Sequence, residues 1–225
     1  MTLSCSEGNA DAVGFVLAGG KSSRMGTDKA LLEFRGEPLI ARAIGILNGV
    51  GLPVCIAGAR PESRARLESF APVLPDDEID LGPLGGVCTA LRSTTAQYVV
   101  FLPVDTPFVP PSLVRYLVRH ARFTTSAITL ASFNGFPQTF PAVVSRSAHP
   151  ALQEELRAAR LGCLAAFETA AHRTGQGLSQ VQAEVLVQSG QVHHPQALPV
   201  LFWFLNLNDG LQFQRASSLE GIRVI

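Results

Sequence analysis

Short apolar runs alternate with amphipathic segments along the first half of the chain. Three apolar runs end next to a glycine or an aspartate, and continuous runs of this length predict buried strands. They are Val13 to Ala18, LPVCIAG at 52–58 and QYVVFLPVD at 97–105. The segments around them have helical spacing or helix-start signals, which predict helices at 37–48, 60–70, 82–93 and 110–121. This alternation indicates a parallel sheet covered by helices on both faces.

The pattern changes after about residue 125. Two strand-like runs, SAITLASF and TFPAVVSR, are separated by NGFPQ, in which Asn134-Gly135 favours a tight turn. We therefore predict an antiparallel hairpin or an edge ribbon added to a mostly parallel sheet. Helical spacing returns at 150–160 and 163–172, and HRTGQGLSQ is interpreted as a loop. The apolar segment LPVLFWFLNLND predicts a strand, followed by a last helix at 210–218.

The composition limits the class of protein. The chain has 225 residues, of which 47% are hydrophobic, and it carries 18 basic and 18 acidic residues. A chain of this size forms one sizeable core, so we expect a single domain over 1–225, with residues 1–12 disordered. Zero net charge gives no field that would attract nucleic acid or a membrane surface. No apolar window reaches the roughly 18 residues of a membrane span, and we expect a cytoplasmic protein.

The cysteines, histidines and tryptophan give little further chemistry. The four cysteines form no CxxC pair, and Cys55 and Cys88 lie among apolar residues, which predicts buried free thiols. The adjacent His193 and His194 would point in opposite directions on a strand, so solvated side chains are favoured over a metal site. Trp203 lies between two phenylalanines and is interpreted as core rather than as a stacking platform.

The segment LAGGKSSRMGTDKALLEFRG, at 17–36, follows the first predicted strand. It is not a P-loop, because Gly20-Lys21-Ser22 would require a glycine at the position of Phe15. Its glycines also lack the G-x-G-x-x-G spacing of dinucleotide-binding folds. Adjacent glycines let backbone N–H groups approach an anion, and the serine and basic residues add donors. This chemistry suits a triphosphate, with a solvated glycine-rich turn as the alternative.

The longer segment LAGGKSSRMGTDKALLEFRGEPLI resembles the signature of the nucleotidyltransferases of the molybdenum cofactor guanylyltransferase type. That signature is close to LAGG-x-S-x-RMG-x-DKALL-x-x-x-G-x-PL. LPDDEIDLGPLGGVCTAL, FLPVDTPFVPPSLV and FLNLND resemble later blocks of the same family. The resemblance implies a three-layer α/β/α Rossmann-like nucleotidyltransferase fold. It also implies transfer of GMP from GTP to the terminal phosphate of molybdopterin carrying molybdenum, with release of pyrophosphate.

The resemblance implies Mg²⁺, with Mn²⁺ as a substitute, as the cofactor of this reaction. The implied small-molecule partners are GTP and molybdopterin, and the implied protein partners are molybdopterin-handling proteins that make transient contact. Two other functions stay open. One is a related nucleotidyltransferase that uses CTP with molybdopterin, or a sugar-1-phosphate as acceptor. The other is a non-catalytic nucleotide-binding homologue.

The resemblance assigns roles to individual residues, with Arg24, Lys29 and Asp105 as the catalytic ones. Lys29 and Arg24 would neutralise phosphates, and Asp105, at the end of the strongest strand, would hold the metal beside them. A helix N-cap is the other interpretation of Asp105. Asp76 would contact the guanosine or order its loop, with Asp77 an equally reachable neighbour. The residues that would shape the guanine and phosphate pocket are Leu17, Ala18, Gly19 and Gly20.

Asn206 and Asn208 follow the last apolar segment and alternate onto one face, which would bring both amides near the metal and phosphates. A cap for the last helix is an equal alternative for Asn208. The chain departs from the family here, because NDGLQF stands where the family has N-T-P-E-D/E-L. CIAGAR also lacks the asparagine that the family places near the ribose.

Overall fold

A six-stranded sheet forms the centre of this computed structural model, which describes residues 10–19, 28–74, 81–208, 212–213 and 216. Its strands are β1 (Ala12–Leu17), β4 (Val54–Ala57), β5 (Tyr98–Pro103), β6 (Ile128–Phe133), β7 (Phe136–Ser145) and β8 (Leu178–Gln182). Their order across the sheet is β4-β1-β5-β7-β6-β8, and only β7 runs antiparallel to its neighbours. The short strands β2 (Glu33–Phe34) and β3 (Glu37–Pro38) pair separately as a hairpin.

Helices cover both faces of the sheet. The α-helices with bounds inside the described ranges are α1 (Leu39–Asn48), α2 (Pro61–Leu67), α3 (Gly82–Ser93), α4 (Pro111–Thr124), α5 (His149–Arg157), α6 (Cys163–Thr174), α7 (Ala183–Gln188) and α8 (Val200–Trp203). One apolar cluster lies between the sheet and α1, α4 and α7, and a second lies between the sheet and α3, α5 and α6. In β1, Val16 faces the first cluster, whereas Val13 and Phe15 face the second. The predicted three-layer α/β/α fold with a mostly parallel sheet is confirmed.

The hairpin of the second half is also confirmed. β6 and β7 pair in antiparallel register, and Asn134 and Gly135 form the turn with φ of +50° and +78°. Both strands lie inside the sheet, with β5 on one side and β8 on the other. The segment interpreted as a loop contains the start of β8, whose sequence LSQVQ buries only Val181 and therefore gave little apolar signal.

Two predicted element boundaries or types are wrong. α1 begins at Leu39 instead of 37, because the preceding residues form the β2-β3 hairpin around Arg35 and Gly36, both at positive φ. The described part of LPVLFWFLNLND, residues 198–208, forms the short helix α8 and irregular segments on either side of it rather than a strand. Its tryptophan explains the difference, because Trp203 is buried and its Nε1 donates to the Leu198 carbonyl at 2.8 Å. That contact joins residues five positions apart, so the chain must turn between them, which an extended strand does not do.

The structure also bears on the expectations for the chain termini, the cysteines and membrane spans. Ala12 already belongs to β1, whereas residues 1–9 lie outside the described residues, as does most of the predicted helix at 210–218.

Cys88 and Cys163 are buried free thiols, and burial raises their pKa to about 11 and about 12. Cys55 is disulfide-bonded, so the prediction of a free thiol is wrong there. In the described part of the chain, no helix combines the length and hydropathy needed to cross a membrane.

The turn between β6 and β7 gives a stability test with a matched control. Gly135→Ala is expected to lower the free energy of unfolding by about 1 kcal/mol, because the positive φ of Gly135 is costly for a residue with a Cβ. Gly45→Ala in α1 is expected to raise it by about 0.5–1 kcal/mol through helix propensity. A Cβ at either position meets no atom within 4 Å, so only backbone conformation differs. Urea unfolding measures both, and effects of the same sign would contradict the turn.

Candidate active site

The carboxyl ends of three parallel strands lie side by side at one edge of the sheet. Leu17, the last residue of β1, pairs with Ala57 of β4 on one side and with Pro103 of β5 on the other. The chain runs from β1 to β4 and then crosses to the opposite side of β1 to form β5. A crevice opens where consecutive connections diverge in this way, and such crevices bind ligands in α/β folds.

Lys29, Asp105 and Asn208 meet at this edge. The Lys29 ammonium donates to Asp105 Oδ2 at 2.8 Å and to Asn208 Oδ1 at 2.6 Å. The lysine and aspartate side chains are only 16% and 22% exposed, so the contact lies partly out of solvent. Three residues from distant parts of the chain thus form one charged and polar cluster.

Local hydrogen bonds fix the backbone of each segment. Lys29 begins a 3₁₀ helix (Lys29–Leu31) that is capped by Asp28, whose Oδ1 accepts from the Ala30 amide at 2.9 Å. The Thr106 hydroxyl donates to the carbonyl of Pro103 at 3.0 Å, which tightens the turn after β5. The Asp105 carbonyl accepts from the Leu207 amide at 2.9 Å. This last bond joins the turn that carries Asp105 to the segment that carries Asn208.

Among the predicted pocket residues, Leu17 ends β1, and Ala18 and Gly19 follow it directly at the carboxyl edge of the sheet. Leu17 and Ala18 are buried, and the Ala18 amide donates to the Ala57 carbonyl at 2.9 Å. Gly19 packs against Gly58, which follows β4 and has a φ of +77°. A Cβ at Gly19 would lie 2.6 Å from the Gly58 carbonyl oxygen, so only glycine allows the two backbones to approach so closely. Gly58 was not predicted as a site residue, although it ends the apolar run LPVCIAG.

Not every predicted site residue lies in the cluster. Gly20, Arg24 and Asp76 lie outside the described residues. Asn206 is exposed, two positions before Asn208 and on the other side of the buried Leu207. Among the described residues, only Asn208 of the two asparagines bonds to Lys29.

The structure also settles the surroundings of His194 and Trp203. The His194 ring lies 6.2 Å from the Trp203 ring, and burial lowers the pKa of this histidine. His194 is therefore half-buried rather than solvated, whereas His193 is exposed as predicted. Trp203 is in the core, also as predicted. Among the described residues, no group of three or more His, Cys, Asp or Glu side chains could hold a metal ion.

The oxygens of Asp105 and Asn208 fit a divalent cation. Asp105 Oδ2 and Asn208 Oδ1 both contact the same ammonium, so the two oxygens already converge on one positive charge. Carboxylate and amide oxygens are hard ligands of the kind that Mg²⁺ takes. Mg²⁺ sites commonly use only one or two carboxylates and complete the shell with substrate phosphates and water. A full cage of protein ligands is therefore not required at this edge.

Comparison with known proteins finds similarity over most of this chain. The model for the MobA-like NTP transferase domain matches residues 14–191. A probable molybdenum cofactor guanylyltransferase of Pelotomaculum thermopropionicum is 36% identical over 147 residues, which are 65% of this chain and 70% of that protein. A molybdenum cofactor guanylyltransferase of Xanthomonas euvesicatoria is 41% identical over 107 residues, which cover 47% of this chain and 52% of that protein. The chain thus matches about half the length of the second relative.

A solved structure supports the same fold. Molybdopterin-guanine dinucleotide biosynthesis protein A from Archaeoglobus fulgidus superposes with a TM-score of 0.72 at 20% identity. The superposition covers 92% of this chain and 97% of that protein. At this identity the similarity concerns the fold, and it extends over nearly the whole of both chains.

The contact between Gly19 and Gly58 gives a second stability test. Gly19→Ala is expected to lower the free energy of unfolding by about 1–3 kcal/mol, because its Cβ would overlap a backbone oxygen that cannot move alone. Gly86→Ala is the control, since its Cβ would meet Leu17 Cδ2 at 3.3 Å, the end of a flexible side chain. This control is expected to change stability by less than about 1 kcal/mol in urea unfolding. Equal losses in the two variants would contradict the close backbone approach.

Proposed function

The chain belongs to the family of MobA-like NTP transferase domains, and we propose that it transfers GMP from GTP to the terminal phosphate of molybdopterin carrying molybdenum. An oxygen of the acceptor phosphate attacks the α-phosphorus of GTP and forms a new P–O bond. The bond between the α-phosphorus and the bridging oxygen breaks, and pyrophosphate leaves with its electron pair. The products are the guanine dinucleotide form of the cofactor and pyrophosphate.

The cluster of Lys29, Asp105 and Asn208 carries this proposal. It lies at the carboxyl edge of the parallel strands, where Ala18 and Gly19 also lie, directly after β1. Nucleotidyl transfer needs positioning and charge stabilisation more than a protein nucleophile, because the acceptor phosphate is itself the nucleophile. A cation, a carboxylate and an amide oxygen at one point are suited to that task.

Lys29 is the proposed phosphate-binding cation. Only two of the eighteen basic residues are lysines, Lys21 and Lys29, and both belong to the glycine-rich segment. The ammonium of Lys29 is held at the crevice by two oxygens and can donate to phosphate oxygens from there. Its positive charge would offset the negative charge that grows on the leaving pyrophosphate. Arg24 is proposed to add a planar, two-pronged donor to the same phosphates.

Asp105 is proposed to hold Mg²⁺, with Asn208 as a second ligand and Asn206 as a candidate third. Bound there, Mg²⁺ supplies Lewis acidity towards the phosphate oxygens of GTP, and Mn²⁺ can replace it. Asp105 also fixes Lys29 by direct contact, so the carboxylate sets the position of the phosphate-binding cation. The residues from Leu17 to Gly20 are proposed to shape the guanine and phosphate pocket, and Asp76 to contact the guanosine.

The remaining parts of the proposal follow from the substrates. The chain is proposed to act as a single domain in the cytoplasm on two small molecules, GTP and molybdopterin. Because the acceptor must be delivered, brief contact with molybdopterin-handling proteins is proposed as well. Nucleic acid and membranes have no part in this reaction.

Incubation with each of four labelled nucleoside triphosphates tests the proposal directly. Each reaction contains Mg²⁺ and molybdopterin, and both pyrophosphate and the nucleotidylated pterin are measured. Product with GTP alone is the expected result. Product with CTP, or product in a parallel reaction that contains a sugar-1-phosphate in place of molybdopterin, would assign the chain to another nucleotidyltransferase activity. Binding of GTP without turnover would assign it to non-catalytic nucleotide binding.

The two lysines allow a matched test of the proposed phosphate-binding cation. Lys29→Ala is expected to lower kcat by about 100-fold or more, since a charge that stabilises the transition state is lost. Lys21→Ala removes the same charge from the same segment and is expected to keep activity close to that of the unaltered protein. Steady-state kinetics on both variants decide the matter, and near-unaltered turnover in Lys29→Ala would overturn the assignment.

Lys29→Arg separates charge from geometry. It keeps the positive charge but replaces a compact ammonium with a larger planar group, and the two are not interchangeable where contacts are close. We expect this variant to recover only part of the activity lost in Lys29→Ala. Full recovery would show that charge alone is required and would contradict a fixed contact with Asp105 and Asn208.

A further inference from the structure

Three phenylalanines form an aromatic cluster next to the cluster of Lys29, Asp105 and Asn208. Phe34 is 1% exposed and lies at the centre. Its ring meets Phe108 edge-on, with centroids 5.5 Å apart, and meets Phe213 edge-on at 6.0 Å. Such edge-to-face pairs are favourable beyond the area they bury, because ring edges and faces carry opposite partial charge.

Each phenylalanine follows one of the three polar site residues at short distance along the chain. Lys29 is five residues before Phe34, Asp105 three residues before Phe108, and Asn208 five residues before Phe213. Local bonds lie within two of these segments: the Leu32 amide donates to the Lys29 carbonyl at 3.2 Å, and the Asn208 amide donates to Gln212 Oε1 at 2.5 Å. The aromatic cluster and the polar cluster therefore join the same three segments.

Two arginines hold the ring of Phe34 in place. The guanidinium carbons of Arg35 and Arg42 lie 5.1 and 5.5 Å from its centroid, within cation–π range. Arg35 also lies 5.6 Å from the Phe108 ring and donates to the Ala216 carbonyl at 3.0 Å. Its backbone has a φ of +56°, which an arginine adopts only where the surroundings fix it. The β2-β3 turn is thus tied to the other two segments.

We propose that Phe34 is a positioning residue, which sets the distance from Lys29 to Asp105 and Asn208 through its contacts with Phe108 and Phe213. The proposal rests on the proposed function only where turnover is concerned. The contact of Lys29 with Asp105 is part-buried and that with Asn208 is exposed, and polar contacts that water can reach hold segments less firmly than packed apolar side chains do. A buried ring between the segments supplies the missing constraint, because packed cores do not deform continuously.

Side-chain NMR of the two lysines tests this positioning without any substrate. A sample labelled with ¹³C and ¹⁵N only in lysine gives signals from Lys21 and Lys29, which Lys21→Arg assigns. Phe34→Leu is expected to move the Cε and Nζ signals of Lys29 towards the values of a free lysine. Phe15→Leu is the control, because Phe15 is fully buried and paired with Phe101 at 6.2 Å on the other side of the sheet. This control is expected to leave the Lys29 signals in place.

Phe213→Leu is a second, milder variant that keeps the test valid if Phe34→Leu does not fold. Phe213 is only partly buried, and its replacement removes one edge contact while leaving Phe34 and Phe108 paired. It is expected to move the Lys29 signals in the same direction as Phe34→Leu and by a smaller amount. Circular dichroism and thermal melts establish that each variant is folded at the temperature of measurement. Lys29 signals that stay unchanged in both variants would overturn the proposal.

Kinetics then connect the position of Lys29 to turnover. Phe34→Leu is expected to lower kcat by about 10- to 100-fold, the size of effect that a displacement of about 1 Å causes, whereas Phe15→Leu keeps most activity. In a Lys29→Ala background, adding Phe34→Leu is expected to cause little further loss, because both changes act through one contact. Losses that multiply in full would show a separate, merely structural role for Phe34. If no variant or unaltered protein turns over GTP, the proposed function fails while the NMR result still decides the positioning.

Discussion

The contact of the Lys29 ammonium with the Asp105 carboxylate and the Asn208 amide is the constraint around which this edge of the molecule is organised. Its partners are 76 and 179 residues away along the chain. The contact with Asp105 is part-buried and that with Asn208 is exposed, and polar contacts of this kind contribute too little to offset the chain entropy that is lost when three segments are brought together. Packing of the fold must therefore bring the three segments together. The polar contact then selects one arrangement of the three side chains among those that the packing permits.

The sheet aligns the segment that carries Asp105 with the end of β1. β1 and β5 pair in parallel over six residues, so the turn after β5 starts level with the end of β1. The Val104 amide extends this pairing by donating to the Leu17 carbonyl at 3.2 Å, just before Asp105. Lys29 and Asn208 lie outside these strands: Lys29 begins the 3₁₀ helix that comes after β1 along the chain, and Asn208 lies in the loop after α8. Neither belongs to the sheet, which explains why apolar side chains such as Phe34 must align them.

The sequence predicts those parts of the molecule that depend on local pattern. Continuous apolar runs identify β1, β4 and β5, and proline at the start identifies α4. Phe34 and Gly58 could not be found in this way, because their importance arises from partners far away along the chain. β8 was missed since its partner strand β6, rather than its own composition, makes it a strand. The resemblance placed Lys29 and Asp105 near the same phosphates, but it did not predict their direct contact.

The altered closing segment bears on whether the chain keeps the chemistry of its family. NDGLQF replaces the expected N-T-P-E-D/E-L, which removes the proline that would set the start of the last helix. In its place the Gln212 side chain accepts from the Asn208 amide at 2.5 Å, and the Leu207 amide donates to the Asp105 carbonyl. These two bonds hold the asparagine from both sides, so its side chain still reaches Lys29. The altered sequence therefore still presents an amide oxygen to the ammonium of Lys29, which is the geometry that the proposed reaction needs at this edge of the sheet.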